Sequence, residues 1–319
     1  MIQYKNLNEF KDYSLLQDLW NQELKFMYPI SNFIFNQNVV NCKYFAKEAS
    51  VVALDGDVPV GFVISKVWDN DARIIKYQSV GFISLFFVAR KFRRQGIGTR
   101  MFDIVEEQFK KLGKSQVWIG KDINNFFPGV PVDFDNLTPN FLAKIGYSIG
   151  SSTHDVVSKY FDKEILHNIY NKETFLFKFV EKNDVRAVDD FFIRCFPGRW
   201  QYEFEEYCKL GAFNEDYLVV YDKEKVIGFV RISTTNALVY PYHIVWYQKF
   251  ENLGGLGPIG IDVDYRGNQL AADLIKLGVT SLLKRGVKEI LIDWTGLLDF
   301  YSKYGFEVWK SYTTASKNL

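Results

Sequence analysis

Residues 86–99 read Phe86-Phe87-Val88-Ala89-Arg90-Lys91-Phe92-Arg93-Arg94-Gln95-Gly96-Ile97-Gly98-Thr99. An apolar strand runs into a basic turn with two glycines one residue apart, and a helix follows at once. The helix is legible from Ile97, Met101, Ile104, Val105, Phe109 and Leu112, which recur at three- and four-residue steps and form one apolar stripe. Lys110 and Lys111 suit the negative end of its dipole, and Gly113 stops it. A turn of this kind exposes unpaired backbone N–H groups and the positive end of the helix dipole at one point, which favours a phosphate or diphosphate. Gly96 permits backbone angles closed to other residues and lets an anion approach the main chain, Gly98 permits close packing of the helix start, and Arg93 and Arg94 add charge. Glycine spacing alone would favour an ordinary strand-to-helix turn that happens to contain glycine. Strand, arginines, spacing and amphipathic helix together point to an anion site over residues 93–99.

Two other nucleotide signatures are excluded. There is no GxxxxGK[ST], and Met101 stands where a dinucleotide fingerprint needs its third glycine. A literal GxGxxG, Gly255-Leu256-Gly257-Pro258-Ile259-Gly260, is followed by the strand-like Ile261-Asp262-Val263 rather than by a helix, so it is read as a chance match.

Working outward, the chain repeats itself. Val51-Val52-Ala53-Leu54, an Asp55-Gly56 turn and Val60-Gly61-Phe62-Val63 form a hairpin pattern, matched downstream by Tyr217-Leu218-Val219-Val220 and Val226-Ile227-Gly228-Phe229-Val230. Phe92-Arg93 matches Tyr265-Arg266, and Gly146-Tyr147 matches Gly305-Phe306, each of the last pair preceded by Phe-x-x-Lys-x. Leu270, Leu274, Leu277 and Leu282 form the second copy's helix stripe, ending at Arg285-Gly286. Matches in one order imply two copies of one α/β unit. Each copy is expected to run strand, one or two helices, hairpin, long strand, helix, strand, short helix and final hairpin, with a mixed sheet covered on both faces. Residues 1–160 are the first domain, the polar residues 161–172 a linker, and residues 173–319 the second domain.

The bulk composition narrows the function classes. In 319 residues, 39 Lys and Arg balance 38 Asp and Glu to a net charge of +1, so no global field recruits nucleic acid or an anionic membrane and an anionic ligand must be held locally. Cys42, Cys195 and Cys208 are too few and too scattered for a disulfide framework or a CxxC metal site and read as buried small hydrophobes. His154, His167 and His243 form no HExxH or histidine–cysteine cluster, so no metal site or serine hydrolase is indicated. No apolar run is long enough for a membrane span, and the opening residues lack the apolar core of a signal peptide, so a cytoplasmic protein is expected. The aromatic share of 17% reads as core filling with a partly aromatic cleft, because no stacking array interleaved with basic residues occurs.

The motifs resemble the GNAT acetyltransferase superfamily. Its phosphate-loop pattern, Arg/Gln-x-x-Gly-x-Gly/Ala after a strand with a valine, is similar to Val88, Arg93, Gly96 and Gly98. Its late signature resembles Phe300-Tyr301-Ser302-Lys303-Tyr304-Gly305-Phe306, with a weaker form at Phe141-Leu142-Ala143-Lys144-Ile145-Gly146-Tyr147. The resemblance implies two tandem α/β (α+β) domains, each a mixed, mostly antiparallel twisted sheet flanked by helices. It implies acetyl-coenzyme A as cofactor, with the diphosphate on the main chain of Arg93, Arg94, Gln95, Gly96, Ile97, Gly98 and Thr99. The pantetheine would lie beside Phe86, Phe87 and Val88, an N–H near Val88 would face the thioester carbonyl, and a small-molecule amine would be the acceptor.

The two copies divide the family's features. Leu142 stands where members often carry a tyrosine that protonates the leaving thiolate, whereas the second copy has Tyr301. The second loop, Tyr265-Arg266-Gly267-Asn268-Gln269-Leu270-Ala271, puts Gln269 in the place of Gly96, where its side chain would crowd an anion. The cofactor is therefore placed in the first copy, the second is read as a degenerate pseudo-domain, and Tyr301 as a core or surface residue. A thiol with a reference pKa of about 8.5 leaves tolerably without a dedicated acid. No catalytic base is assigned: Asp55, Asp57, Asp69 and Asp133 read as solvated turn residues. Acceptor recognition is expected from residues 28–37 and from Asn125-Phe126-Phe127-Pro128-Gly129-Val130-Pro131, whose aromatics either wall a pocket or turn into the core; Arg199 and Trp200 would suit a carboxylate or a sugar. The missing tyrosine and base leave a second function open, a non-catalytic acyl-CoA-binding or scaffold protein.

Overall fold

The computed structural model describes residues 1–69, 71–133, 137–211 and 215–319. The chain resolves into two compact units. The first comprises Met1–Asp71, Ile75–Thr153 and Lys310–Leu319, the second Ala72–Ile74 and His154–Trp309. Each is a mixed, mostly antiparallel sheet flanked by helices, as the repeat predicts.

The first unit is built from β1 (Ile2–Asn6), α1 (Ser14–Leu24), α2 (Asn32–Phe35), β2 (Val51–Asp55), β3 (Val58–Val67), β4 (Val80–Val88), α3 (Ile97–Lys111), β5 (Gln116–Ile119), β6 (Val130–Pro131), α4 (Leu137–Lys144) and the first half of β7 (Ser148–Ser158). The second contains the rest of β7, then α5 (Lys163–His167), β8 (Leu176–Phe179), α6 (Val185–Cys195), α7 (Arg199–Lys209), β9 (Tyr217–Asp222), β10 (Lys225–Thr234), β11 (Leu253–Ile261), α8 (Leu270–Lys284), β12 (Glu289–Thr295) and α9 (Leu298–Ser302). The last strand, β13 (Glu307–Asn318), ends in the first unit, where it pairs antiparallel with β5.

Strand order in the first unit is β1-β2-β3-β4-β5-β13, and in the second β7-β12-β11-β10-β9-β8. Neighbours are antiparallel except β4–β5 and β11–β12, which are parallel. The parallel pairs matter for function because each is short. β4 pairs with β5 from Val80 to Ile83 and then runs on to Val88 paired with β3 only, and β11 pairs with β12 from Leu253 to Gly255 and continues to Ile261. Each unit thus has a fork at the middle of its sheet. Next to each fork the antiparallel ladder slips by a residue, between Ile64 and Ser65 and between Val230 and Ile232, which bends the long strand.

The apolar stripes bury as their spacing dictates. Ile97, Met101, Val105 and Phe109 of α3 join Val51, Val63, Ile83 and Val117 in the first core, and Leu270, Leu274, Val279 and Leu282 of α8 join Val230, Ile232, Leu256 and Ile290 in the second. Leu112, expected in the first stripe, is 39% exposed because the helix ends at Lys111.

Two expectations change. The final hairpin of each copy is instead one long strand, Ser148–Ser158 in the first and Glu307–Asn318 in the second. Residues 161–172, expected as a linker, lie within the second unit and contain α5. Asp273 of α8 accepts hydrogen bonds from the backbone N–H groups of Tyr170 (2.9 Å) and Asn171 (3.0 Å), and Lys276 donates to the Asn168 carbonyl (2.6 Å). Among the described residues no helix is long and apolar enough to cross a membrane.

Candidate functional site

The turn that opens α3 has the predicted backbone. Gly96 is the N-cap at φ +79, Arg94 is also left-handed at φ +63, and the Arg100 N–H closes the first helical turn on the Gly96 carbonyl (3.0 Å). A Cβ at Gly96 would meet nothing within 4 Å, so the main chain lies open to an approaching group. Arg94, Gln95, Gly96 and Thr99 are exposed and Gly98 half-buried, whereas Ile97 sends its side chain into the core and offers only its amide. The first N–H groups of a helix have no intrahelical partner, so this surface can receive an anion.

Arg93 behaves differently from a simple phosphate ligand. Its Nε donates to the Val88 carbonyl at 2.7 Å and its guanidinium pairs with Glu23 at 3.3 Å, so it locks the turn back onto β4. Gln95 likewise donates to the Lys91 carbonyl (3.1 Å). Phe86 and Val88 are half-buried on the α3 face, with Phe86 edge-on to Phe102, while Phe87 is buried on the other face among Trp20 and Phe62.

The residues considered for acceptor recognition in the first unit are mostly structural. Phe126 and Phe127 turn inward, Phe127 packing on Trp20, Tyr28 and Tyr312. Asp133 accepts a hydrogen bond from Tyr28 (2.6 Å) and pairs with Lys310; Asp55, Asp57 and Asp69 are exposed. At the fork stands a feature the sequence did not disclose: Lys66, 1% exposed, donates to Asp122 (2.6 Å) and to the carbonyls of Ile123 and Asn124, and Ser84 donates to the same carboxylate (2.8 Å). Leu142 is fully buried.

The second unit repeats the turn with altered chemistry. Gln269 is the N-cap of α8 at φ +60, Gly267 takes the left-handed place of Arg94, and Arg266 reaches back to the Ile261 carbonyl (3.4 Å) as Arg93 reaches Val88. At this turn lies a groove of about 540 Å³, lined among others by Gln269, Leu270 and Ala271, by Phe300 and Tyr304 of and after α9, and by Tyr170. Arg266, Lys276 and Lys303 make it basic. Burial holds the Lys276 ammonium below the usual lysine range, with Asp273 opposing. The expected chance match is one: Gly255 to Gly260 lie inside β11.

Tyr301 of α9 is 4% exposed, and burial together with the nearby Asp293 carboxylate pushes its phenol up to about 12. Asp293 sits on β12 just past the fork, 3.5 Å from the buried His243. Arg199 pairs with Glu203 and lies over Trp294, and Trp200 packs on Phe196 and Phe229. Sequence reading missed Asp293 and His243, which lie on different segments; the repeat register, which sets Asp293 against Gly120, was the available signal. Among the described residues no group of three or more His, Cys, Asp or Glu side chains is placed to hold a metal ion.

The sequence profile of the acetyltransferase (GNAT) family matches residues 13–127 and again 185–306. Among solved structures, the chain is similar to the GCN5-related glucosamine N-acetyltransferase region of a fungal multi-domain GH3 β-N-acetylglucosaminidase, at 24% identity and a TM-score of 0.87, covering 99% of this chain and 38% of that one. The chain therefore spans well under half of that relative. It is also similar to a GCN5-related N-acetyltransferase from Sphaerobacter thermophilus (15% identity, TM-score 0.68, 99% and 95% covered) and to a tandem GNAT protein from the clavulanic acid biosynthesis pathway (13%, 0.66, 100% and 98%). At these identities the likeness is one of fold. No curated protein sequence matches.

Proposed function

Because the chain belongs to the acetyltransferase (GNAT) family, we propose that it moves an acetyl group from acetyl-CoA to the amine of a small acceptor, the coenzyme diphosphate resting on residues 93–99 of the first unit. The observation that carries this placement is Gly96: left-handed, exposed, and without an atom within 4 Å of the Cβ it lacks. The residues fit the group: the amides opening α3 would take the diphosphate, Arg94 would add charge, and the β4 edge beyond the fork would flank the pantetheine. Acetyl-CoA, when bound, supplies an acyl group activated as a thioester. The chain's own task is to orient the acceptor amine, keep it unprotonated and exclude water from the fork.

A second reading puts the reaction in the second unit. It is favoured by the basic groove at the start of α8 and by Tyr301 on α9, next in the chain to the groove residue Phe300. Tyr301 holds its proton at neutral pH and so can donate it to a leaving thiolate, a role Leu142 cannot fill. On that reading Gln269 is tolerated because the groove passes over it.

The first relative's printed name makes glucosamine the first acceptor to try, followed by other amino sugars, polyamines and aminoglycosides. Release of free thiol is followed in the wild type, Gly96→Glu and Tyr301→Phe. Loss of coenzyme binding in Gly96→Glu with turnover intact in Tyr301→Phe supports the first placement. Unchanged binding in Gly96→Glu with a 10²-fold or greater loss of turnover in Tyr301→Phe, the order expected for a general acid, supports the second. Coenzyme-induced stabilisation without turnover on any amine would instead mark a non-catalytic acyl-CoA binder.

A further inference from the structure

On the face of the second sheet that packs against α6 and α7, β10 presents Phe229, Arg231 and Ser233 in alternation, while Val230 and Ile232 join the α8 core behind. Arg231 is 5% exposed and Ser233 is fully buried. A guanidinium keeps its charge at any pH a protein survives, so burial cannot neutralise it and its N–H groups need acceptors. They lack them. Among the described residues neither Nε nor Nη2 of Arg231 has a hydrogen-bond partner, and the Ser233 hydroxyl has none. The ring centroids of Tyr207 and Tyr217 lie 4.7 and 5.5 Å from the guanidinium carbon, which eases the charge but leaves those N–H groups unmet. The carboxylates whose charge acts on Arg231, Glu203 and Asp216, are engaged elsewhere. Glu203 accepts from Arg199 Nε at 2.7 Å, and Asp216 accepts from the Tyr207 hydroxyl and faces Arg285 at 3.8 Å.

The repeat shows what is missing. Three residues past the matched glycines Gly61 and Gly228 stand Ile64 and Arg231. Ile64 is fully buried, so an aliphatic side chain meets the packing needs of this position in the first unit and a charge there is not required by the fold. Two residues further on, the first unit has a buried cation of its own, Lys66, where the second has Ser233. Lys66 is matched by the Asp122 carboxylate at 2.6 Å and by the carbonyls of Ile123 and Asn124. The first unit thus gives the buried cation of this strand a carboxylate, and the second has the cation without one. Buried polar atoms are normally paired, so unpaired ones on one face mark a place that something else completes.

We infer that the second unit takes up a small carboxylate between β10 and α7, held by Arg231 and Ser233. The ligand class follows from which atoms are unmet. Nε and Nη2 form one edge of the guanidinium, and their N–H bonds run parallel, the fork that grips both oxygens of a carboxylate at once. The Ser233 hydroxyl, two residues along the same face, supplies a third donor. Both fork nitrogens are sealed from solvent, so the anion is one of few atoms, the size of formate or acetate, and it enters when α7 opens locally. The site goes beyond the acyl-transfer reading and does not depend on it, since neither coenzyme nor amine takes part.

The test needs no turnover. The full chain is titrated with sodium formate and with sodium acetate, each against sodium chloride at equal ionic strength, and followed by calorimetry and by melting temperature. At least one carboxylate is expected to bind saturably and to raise the melting temperature of the wild type by several degrees beyond the chloride response. Arg231→Lys keeps a charge but loses the fork, and should weaken carboxylate binding by about tenfold or more. Ser233→Ala should weaken it several-fold with the melting temperature in chloride unchanged. Arg231→Met puts an apolar side chain where the first unit has one; it should fold, keep the general salt response and lose the part specific to carboxylates. No saturable carboxylate response in the wild type, a chloride response of equal size, or undiminished binding in both Arg231→Lys and Ser233→Ala would each overturn the site. The wild type and Ser233→Ala decide the matter even if neither arginine variant folds.

Discussion

At Gly96 a side chain is opposed by the backbone dihedral and by nothing else, since φ is +79 and the space around the missing Cβ is open. The left-handed region costs an ordinary residue roughly 1–2 kcal/mol. Gly96→Ala is thus expected to lower the melting temperature by a few degrees while leaving the fold intact. Gln269 already bears that strain at φ +60 in the matching position. Gln269→Gly should therefore stabilise the chain by about 1 kcal/mol, less whatever the freer unfolded chain gains, and a urea midpoint that falls instead would show the Gln269 side chain to be holding the groove together. At this scale the sequence discloses what is local. Gly96, Arg94 and the helix stripe are read from neighbours in the chain, whereas Asp293 and His243 meet only through sheet register and the missing side chain of Gly255, which no short window contains. Phe127 could not be placed for the same reason: its neighbours Trp20, Tyr28 and Tyr312 lie about a hundred residues or more away along the chain.

Between elements, the buried Lys66–Asp122 pair ties β3 to the turn after β5, both side chains being 1% exposed. Two ions removed from water gain little net stability as a pair, but removing one leaves the other uncompensated at a cost of about 3–5 kcal/mol. Lys66→Met alone should destabilise the first unit by that order in chemical denaturation, and Lys66→Met with Asp122→Leu should recover much of it; equal loss in both would show that packing, not charge, matters there. In the second unit Asp262 caps the turn between β11 and α8. Burial pulls its pKa up, but the Lys225 ammonium at 3.0 Å, the Asp264 N–H and Arg194 outweigh this and hold it below its ordinary value of 3.8. A carboxyl depressed on folding contributes stability that is full above its unfolded value and fades as the pH falls through the folded one. Wild type should thus exceed Asp262→Asn in stability at neutral pH, and the two curves should converge below about pH 3.8; a gap that persists at pH 2.5 would mean that the amide disrupts the turn sterically.

For the whole chain, the decisive fact is where the last strand resides. A boundary drawn through the polar residues 161–172 follows the repeat in the sequence, since the second copy ends at the carboxy terminus as the first ends near residue 158. The compact units do not follow that cut: Lys310–Leu319 belong to the first, and residues 154–158 pair with β12 in the second. Composition cannot reveal such an exchange, because a strand's alternating pattern is the same whichever sheet receives it. The energetic consequence is direct. Residues 316–318 supply the ladder partner of β5, Lys317 pairs with Glu106 of α3 (2.7 Å) and donates to the Ile145 carbonyl (2.9 Å), and Tyr312 is fully buried. Without them the first unit has an open sheet edge, a buried Glu106 without its cation and an uncovered aromatic cluster around Phe127. A chain ending at residue 309 is therefore expected to lose the first unit while the second, whose cores lie within residues 154–309, stays folded. Amide hydrogen exchange would read this as lost protection in β3, β4 and α3 with protection kept in β10, β11 and α8. Uniform protection across both units after the truncation would show that the first unit closes its sheet without a strand from the far end of the chain.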